Sequence, residues 1–163
     1  MNTGQTLLTI IAIVLLGSNV VSINRTFTQH GVVLQHTEIG IFGVSLAMSI
    51  LEEAQGKAFD HVTADSFATS LNELSSSLGA EGGESSRHFF NDFDDYNGWR
   101  DTVTIDGVDT FYRWARVVYV DTSNINGFSS SRTWHKKLSV NVKGSNAQDT
   151  LQMQYIFSYW SFR

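Results

Sequence analysis

The sequence predicts an α+β fold in which one long N-terminal helix packs on a small antiparallel sheet. Residues 5–58 contain no proline and pass from an apolar to an amphipathic pattern with helical spacing. Three runs rich in β-branched and aromatic residues follow between residues 111 and 160. A helix followed by such strands covers one face of the sheet that they form.

The first part of the predicted helix has no charged side chain before Arg25. Its apolar core consists of Leu7, Leu8, Ile10, Ile11, Ile13, Val14, Leu15 and Leu16. Residues 7–23 are a marginal membrane span, because about 20 predominantly apolar residues are needed and polar residues interrupt them after Leu16. A secretory signal would need a basic start and a clear cleavage site. The segment has no basic start, and its best cleavage candidate, Leu16-Gly17-Ser18, fits the cleavage pattern poorly.

The second part of the helix is predicted to pack on the globular domain. An apolar stripe is formed by Ile39, Phe42, Leu46, Ala47, Ile50 and Leu51, and Gly56 and Asp60 mark its end. Beyond it, the spacing of Phe67, Leu71, Leu74 and Leu78 predicts a short packed helix. Residues 79–86 are rich in glycine and serine, which is typical of a loop.

The strands are predicted at residues 111–120, 137–143 and 151–160. In the second strand Leu138, Val140 and Val142 alternate with polar residues, so one face is expected to be buried and the other hydrated. The third strand alternates in the same way from Leu151 to Tyr159. Residues 143–148 are expected to turn the second strand into the third, which gives an antiparallel meander.

Charge and composition argue against several classes of function. The net charge is −5 and basic residues cluster only at 132–137, so nucleic-acid binding has little electrostatic support. There is no cysteine, which excludes disulfides and thiolate metal sites. The five histidines lack metal-protease spacing, and neither Gly-x-Ser-x-Gly nor a phosphate-binding loop motif occurs. We therefore expect neither enzymatic activity nor a cofactor.

Three segments of the chain resemble type IV prepilins and their relatives. Gly4-Gln5-Thr6-Leu7-Leu8-Thr9 precedes the apolar run, and its Gly4, Thr6 and Leu7 match the prepilin pattern of Gly followed by Phe-Thr-Leu-Ile-Glu. Leu51-Glu52-Glu53-Ala54 and Asp94-Asp95-Tyr96-Asn97-Gly98 are similar to segments of minor pilins of the mannose-sensitive haemagglutinin pilus and of related pseudopilins. The resemblance extends from Gly4 to the final strand.

The resemblance implies a structural filament subunit with three parts: a leader (1–4), a long helix (5–58) and a globular head (59–163). A prepilin peptidase would cut between Gly4 and Gln5, and the new N-terminus would be methylated. An inner-membrane assembly platform would then transfer the subunit from the bacterial inner membrane into a periplasmic or extracellular filament. There the apolar helix would pack against the helices of other pilin subunits.

Thr9 departs from the family pattern, which has a glutamate at this position. In the family that carboxylate is thought to offset the N-terminal amine of an adjacent subunit, because an unpaired charge is costly in an apolar core. Thr9 supplies only a hydroxyl. Two explanations remain open: the subunit lies at a filament tip, or the filament compensates the amine differently.

The acidic run offers a candidate calcium site at Asp92, Asp94, Asp95 and Asn97, since Ca²⁺ takes carboxylate and amide oxygens. The spacing does not fit an EF-hand, although some pseudopilins hold calcium in a loop. The favoured alternative is that these side chains make turn and capping hydrogen bonds. The neighbouring aromatic residues would then pack the loop against the helix; they are Phe89, Phe90, Phe93, Tyr96 and Trp99.

A second class of function is a membrane-anchored or secreted binding domain that never polymerises. In that case the apolar segment is an anchor or a signal. Four tryptophans, Trp99, Trp114, Trp134 and Trp160, are candidates for an adhesive surface that binds sugars, but strand tryptophans more often belong to a core.

Overall fold

A computed structural model describes residues 2–162, without the side chains of residues 161 and 162. The helix α1 (Thr3–Gln55) is followed by the short helix α2 (His61–Asp65). The strands are β1 (Arg100–Ile105), β2 (Asp109–Tyr119), β3 (His135–Gly144) and β4 (Leu151–Ser158). They form one antiparallel sheet in the order β1-β2-β3-β4. The predicted α+β layout with a single long N-terminal helix is confirmed.

The chain divides into two compact units at Glu38, and α1 contributes to both. In the second unit, α1 packs on the sheet through the predicted stripe. Its buried residues are Ile39, Gly43, Ala47, Ile50, Leu51 and Ala54, and Phe42 and Leu46 pack beside them. A Cβ added at Gly43 would lie 3.7 Å from Leu151 Cδ2, so the helix backbone lies close to β4 at this point.

The sheet buries the face that the alternation predicts. Phe111, Ala115 and Val117 on β2 lie on the same face as Leu138, Val140 and Val142 on β3, and all six are buried. The turn between β3 and β4 joins them in the predicted meander. On the opposite face of β3, Ser139 and Asn141 are only partly buried.

The segment between α1 and the acidic run differs from the predicted short helix. Helix α2 has five residues, and a 3₁₀ turn at Leu71–Glu73 is separate from it. Asp60 and Ser70 accept hydrogen bonds from the backbone at the two starts, which shows why a Ser/Thr-rich chain breaks into capped turns here. Of the four apolar residues, Leu74 is buried, whereas Phe67 is 74% exposed.

Strand β1 was not predicted. Its sequence Thr102-Val103-Thr104-Ile105 is rich in β-branched residues, but the strand is at the sheet edge and its residues alternate between exposed and half-buried. The usable signal was Asp106-Gly107 between two apolar runs, a pair typical of hairpin turns. Gly107 adopts φ +81°, and Val108 N donates to Ile105 O at 3.0 Å to close the turn.

The Asp109 carboxylate connects the β1–β2 turn to the β3–β4 turn by hydrogen bonds at one end of the sheet. Its carboxylate accepts hydrogen bonds from the Ser145 hydroxyl, from Thr110 N at 2.8 Å, and from Asn146 N and Nδ2 at 3.0 Å. Burial raises its pKa, but the hydrogen bonds from Ser145, Asn146 and Thr110 outweigh burial, so the net pKa is lowered. The folded state therefore favours the ionised carboxylate.

We expect Asp109→Asn to lower the free energy of unfolding by about 1–3 kcal/mol at pH 7, because backbone and side-chain donors lose a charged acceptor. A group with a lowered pKa stabilises the fold above its unfolded pKa, and this contribution is lost as the pH falls through the folded value. The unfolding free energies of the unmodified protein and of Asp109→Asn, measured with urea at several pH values, should therefore converge below about pH 4. Asp106→Asn, an exposed residue of the neighbouring turn, is the control; an equal loss in this variant would contradict the prediction.

Candidate functional site

The N-terminal unit presents an apolar helical surface. From Asn2 to Glu38 no described residue is buried. The predicted assembly residues Leu7, Leu8, Ile10, Ile11, Ile13, Val14, Leu15 and Leu16 are 48–68% exposed. Apolar exposure continues along the helix at Val20, Val21, Ile23 and Phe27. A continuous surface of this kind is a marker of a protein or membrane contact.

Polar side chains in this helix are bonded to the helix itself. Ser18 Oγ and Asn19 Nδ2 both donate to Leu15 O at 2.9 Å. Thr9 Oγ1 donates to Gln5 O at 2.6 Å. The Thr9 hydroxyl thus donates its hydrogen bond to a backbone carbonyl of the preceding turn. Such bonds lower the cost of placing the polar side chains of this helix in an apolar environment.

The proposed cleavage position lies at the start of α1, where Gly4 and Gln5 belong to the first turn. A Cβ added at Gly4 would meet no heavy atom within 4 Å. By length and composition, α1 is the one candidate membrane span among the described residues, and a signal sequence would satisfy the same criteria. The structure thus supports a candidate anchor or signal at this end of the chain.

The globular unit contains a second candidate site, a buried acidic cluster built on the 3₁₀ turn Asp94–Tyr96. Asp92 Oδ1 accepts from Asp94 N at 2.8 Å and from Asp95 N at 3.3 Å. Asp95 Oδ2 accepts in return from Asn91 N at 2.8 Å and Asp92 N at 3.0 Å. This is the turn and capping role that the sequence favoured for these carboxylates. Asp92, Asp94 and Asp95 are all buried, with at most 1% exposure.

The turn is held against the end of α1 by backbone and aromatic contacts. Phe93 N donates to Ala58 O at 2.9 Å, and Tyr96 Oη donates to Glu53 Oε1 at 2.8 Å. Phe90, Phe93 and Tyr96 are buried in the same core, as predicted, whereas Phe89 is 58% exposed. Trp99 is partly buried, and the guanidinium carbons of Arg87 and Arg113 lie 5.3 and 5.4 Å from its ring centroid.

One cation, Lys136 of β3, enters the acidic cluster and is fully buried. Its Nζ forms ion pairs with Asp94 Oδ1 and, at 2.8 Å, with Asp60 Oδ2, and it donates to Phe59 O at 2.8 Å. The Phe59 ring lies under the ammonium, 4.7 Å from centroid to Nζ. Asp60 also accepts from Ser75 N and Oγ at 3.0–3.2 Å. Lys136 is thus compensated by two carboxylates.

Two glutamates approach the turn from the glycine-containing loop. Gly83 adopts φ +110°, a conformation that L side chains rarely take, and it lets the loop reverse between Glu81 and Glu84. Glu84 accepts hydrogen bonds from Glu81 N, at 3.0 Å, and from the Asn91 amide. Carboxylate oxygens of Glu81, Asp92 and Asp94 lie within 4.8 Å of one another.

Burial controls the protonation of this cluster. Desolvation, followed by the charges of Asp94 and Asp95, raises the pKa of Asp92 to about 9. Desolvation and contact with Glu84 raise the pKa of Glu81 to about 7. Burial likewise raises the pKa of Asp94 and Asp95. For Asp60 burial acts in the same direction, but Lys136 and Ser75 outweigh it and the net pKa is lowered.

The side chains of Asp92, Asp94, Asp95 and Asn97, the candidate calcium ligands, do not all point towards one common site. Asn97 Nδ2 donates to Leu78 O at 3.0 Å and Asn97 Oδ1 accepts from Val117 N at 3.0 Å, so both ends of its amide are engaged elsewhere. Among the described side chains, buried oxygens without a hydrogen-bond partner belong to Glu81, Asp92, Asp94 and Asp95. Sequence reasoning did not link Asp60, Glu81 or Lys136 to the turn.

Comparisons with known proteins give no assignment for either site. No protein-family model matches the chain, and no curated protein or solved structure is significantly similar to it.

Proposed function

We propose that this protein is a structural subunit, of the minor class, of a type IV pilus or type II secretion pseudopilus. The observation that carries the proposal is the difference in burial between the two parts of α1. From Ile39 to Ala54 one face of the helix is buried in the globular core, whereas residues 7–16 expose an uncharged apolar surface. A single helix that supports a domain at one end and needs an apolar environment at the other suits assembly through helix packing.

The physical basis of the proposal is the exchange of lipid for protein. An α-helix satisfies its own backbone hydrogen bonds, so the same segment is stable in a bilayer and in a bundle of helices. Leu and Ile side chains suit both environments, and neighbouring subunits would remove their surface from water. Before assembly the subunit would therefore reside in the bacterial inner membrane, and it would then enter a periplasmic or extracellular filament with other pilin subunits.

The resemblance of the first residues to prepilins adds a processing step to the proposal. A prepilin peptidase would cleave the Gly4–Gln5 bond, and the inner-membrane assembly platform would act on the shortened chain. Thr9 would then lie one helical turn beyond the new amine of Gln5, with its hydroxyl bonded to the Gln5 carbonyl. The hydroxyl oxygen keeps lone pairs for a neighbouring donor, but it supplies no counter-charge.

The experiment that tests the proposal is mass spectrometry of the N-terminal peptide from the protein isolated from its native host. We expect a mature chain that begins at Gln5, and Gly4→Leu should abolish this processing. The added side chain at Gly4 meets open space in α1, so the loss would report recognition by the peptidase and not misfolding.

Gly17→Leu is the matched control, because Gly17 lies in the same helix and is equally open. This variant should be cleaved as the unmodified protein is. A membrane-bound chain that keeps Met1, or a chain cut after Ser18, would contradict the proposal and favour a non-polymerising anchored or secreted domain.

A further inference from the structure

We propose that the acidic cluster of the globular unit is a calcium site formed by Glu81, Asp92 and Asp94. The inference is independent of filament assembly, because it rests on residues of the globular unit alone. It differs from the ligand set suggested by the sequence in that Glu81 takes the place of Asn97, whose amide is engaged with Leu78 and Val117.

The first argument is the balance of charge. Six carboxylates meet around the turn: those of Asp60, Glu81, Glu84, Asp92, Asp94 and Asp95. The ammonium of Lys136 is the one buried cation among the described residues of the cluster, and it pairs with Asp60 and Asp94. Buried carboxylates without a counter-charge are costly and must bind either protons or a cation.

The second argument is the set of unpartnered oxygens. Asp92 and Asp94 are each 0% exposed, and each uses Oδ1 for a contact within the protein. Their Oδ2 atoms are buried and receive no hydrogen bond from a protein donor, and the same holds for Glu81 Oε2. In the absence of a cation, only protons shared between carboxyl groups, as between Asp92 and Asp94 or Glu81 and Glu84, would pair them. A buried polar atom without a partner is rare in a folded protein and requires an explanation. A bound cation supplies one for all three residues.

The third argument is geometry. Carboxylate oxygens from the three residues lie within 4.8 Å of one another, the span that one ion with metal–oxygen distances of about 2.3–2.6 Å can bridge. The Oδ1 contacts fix Asp92 and Asp94, whereas Glu81 stands at the rim with its side chain 34% exposed, which leaves a side open to water ligands. His61 Nδ1 lies 3.9 Å from Glu81 Oε2, and the His61 side chain is 53% exposed.

The chemistry of the donors favours calcium over other divalent ions. All three ligands are carboxylates, which suit hard cations, and no thiolate is available in the chain. Two of the carboxylates are held rigidly in the core and cannot adjust to the strict octahedron that Mg²⁺ requires. Ca²⁺ accepts irregular geometry and a variable number of water ligands.

The test is thermal unfolding and calorimetric titration of the full chain in detergent micelles, first stripped with a chelator and then given CaCl₂. We expect Ca²⁺ to raise the Tm by about 5–10 °C once the free ion exceeds its Kd about a hundredfold. MgCl₂ at the same concentration should give a smaller shift. No shift with Ca²⁺, or an equal or larger shift with Mg²⁺, would overturn the assignment.

Asp92→Asn is the decisive variant, because its Oδ1 can still cap Asp94 N and Asp95 N while the charge is removed. We expect the metal-free variant to melt no lower than the unmodified protein and to lose the Ca²⁺ shift. Glu81→Gln, which alters the partly exposed ligand, should weaken calcium binding at least tenfold. If Asp92→Asn does not fold, this variant alone tests the proposed calcium site. Asp149→Asn, an exposed residue away from the cluster, should keep the full shift. A Ca²⁺ shift that survives in Glu81→Gln and in any folded Asp92→Asn protein would refute the site.

Discussion

Lys136→Met is expected to lower the free energy of unfolding by about 3–5 kcal/mol, the loss that follows when one partner of a buried ion pair is removed. The Lys136 ammonium is fully buried and contacts two carboxylates and a backbone carbonyl. Met fills a similar volume, so packing changes little. What remains is the buried charge of Asp60 and Asp94 without its counter-charge, together with an unpaired Phe59 carbonyl.

Urea unfolding of the full chain in micelles at pH 7 measures this effect. Lys143→Met is the matched control, because Lys143 is on the same strand but exposed, and it should change the unfolding free energy by less than about 0.5 kcal/mol. A loss below about 1 kcal/mol for Lys136→Met would contradict the assigned role of the buried ion pair.

The pH dependence of the Lys136→Met effect follows from Asp60. Its folded pKa is lowered, because Lys136 and Ser75 outweigh burial, so its contribution to stability is present above the unfolded pKa of about 4. That contribution is lost as the pH falls through the folded pKa. The unfolding free energies of the unmodified protein and of Lys136→Met should therefore converge at acidic pH, because a protonated Asp60 carries no charge for the ammonium to balance.

The fold was accessible from the sequence because its signals are local. Helical spacing from Ile39 to Leu51 and alternation from Leu138 to Val142 each lie within one element, and the structure confirms both. Strand β1 was missed because it lies at the sheet edge, where none of its residues is fully buried, and its sequence contains only two apolar residues, Val103 and Ile105. The segment after α1 escaped because side-chain capping competes with helix formation over a few residues.

The acidic cluster was accessible only in part because it is assembled from distant positions. Asp92 to Asp95 are adjacent, and their capping role could be inferred from the turn chemistry of aspartate. Asp60, Glu81 and Lys136 come from three other segments, and nothing in the sequence around Asp60 or Glu81 marks them as partners of the turn. One signal was available for Lys136: it shares its parity with Leu138, Val140 and Val142, and alternation places it on the buried face.

Leu8→Arg is expected to remove the protein from filaments while leaving the globular unit folded. Leu8 is 68% exposed in the isolated chain, so its replacement breaks no contact of the globular core. In the core of a filament the new charge would be enclosed by apolar helices, whereas in the bilayer a residue near the end of the helix can extend its guanidinium to the head groups. The cost in the filament is about 3 kcal/mol, the value for the centre of a membrane helix. A cost of this size reduces incorporation by about a hundredfold.

The measurement compares the protein in sheared filaments with the protein in the membrane fraction of the native host, together with the melting temperature of each purified chain. Ile11→Arg should behave in the same way as Leu8→Arg, because both residues belong to the uncharged apolar surface. Gln29→Arg places the same charge on an exposed position of the same helix, beyond the existing Arg25, and should still assemble. Normal incorporation of both apolar-to-Arg variants would show that residues 7–16 do not pack in a filament core. Lowered melting temperatures would instead assign these residues to the stability of the fold.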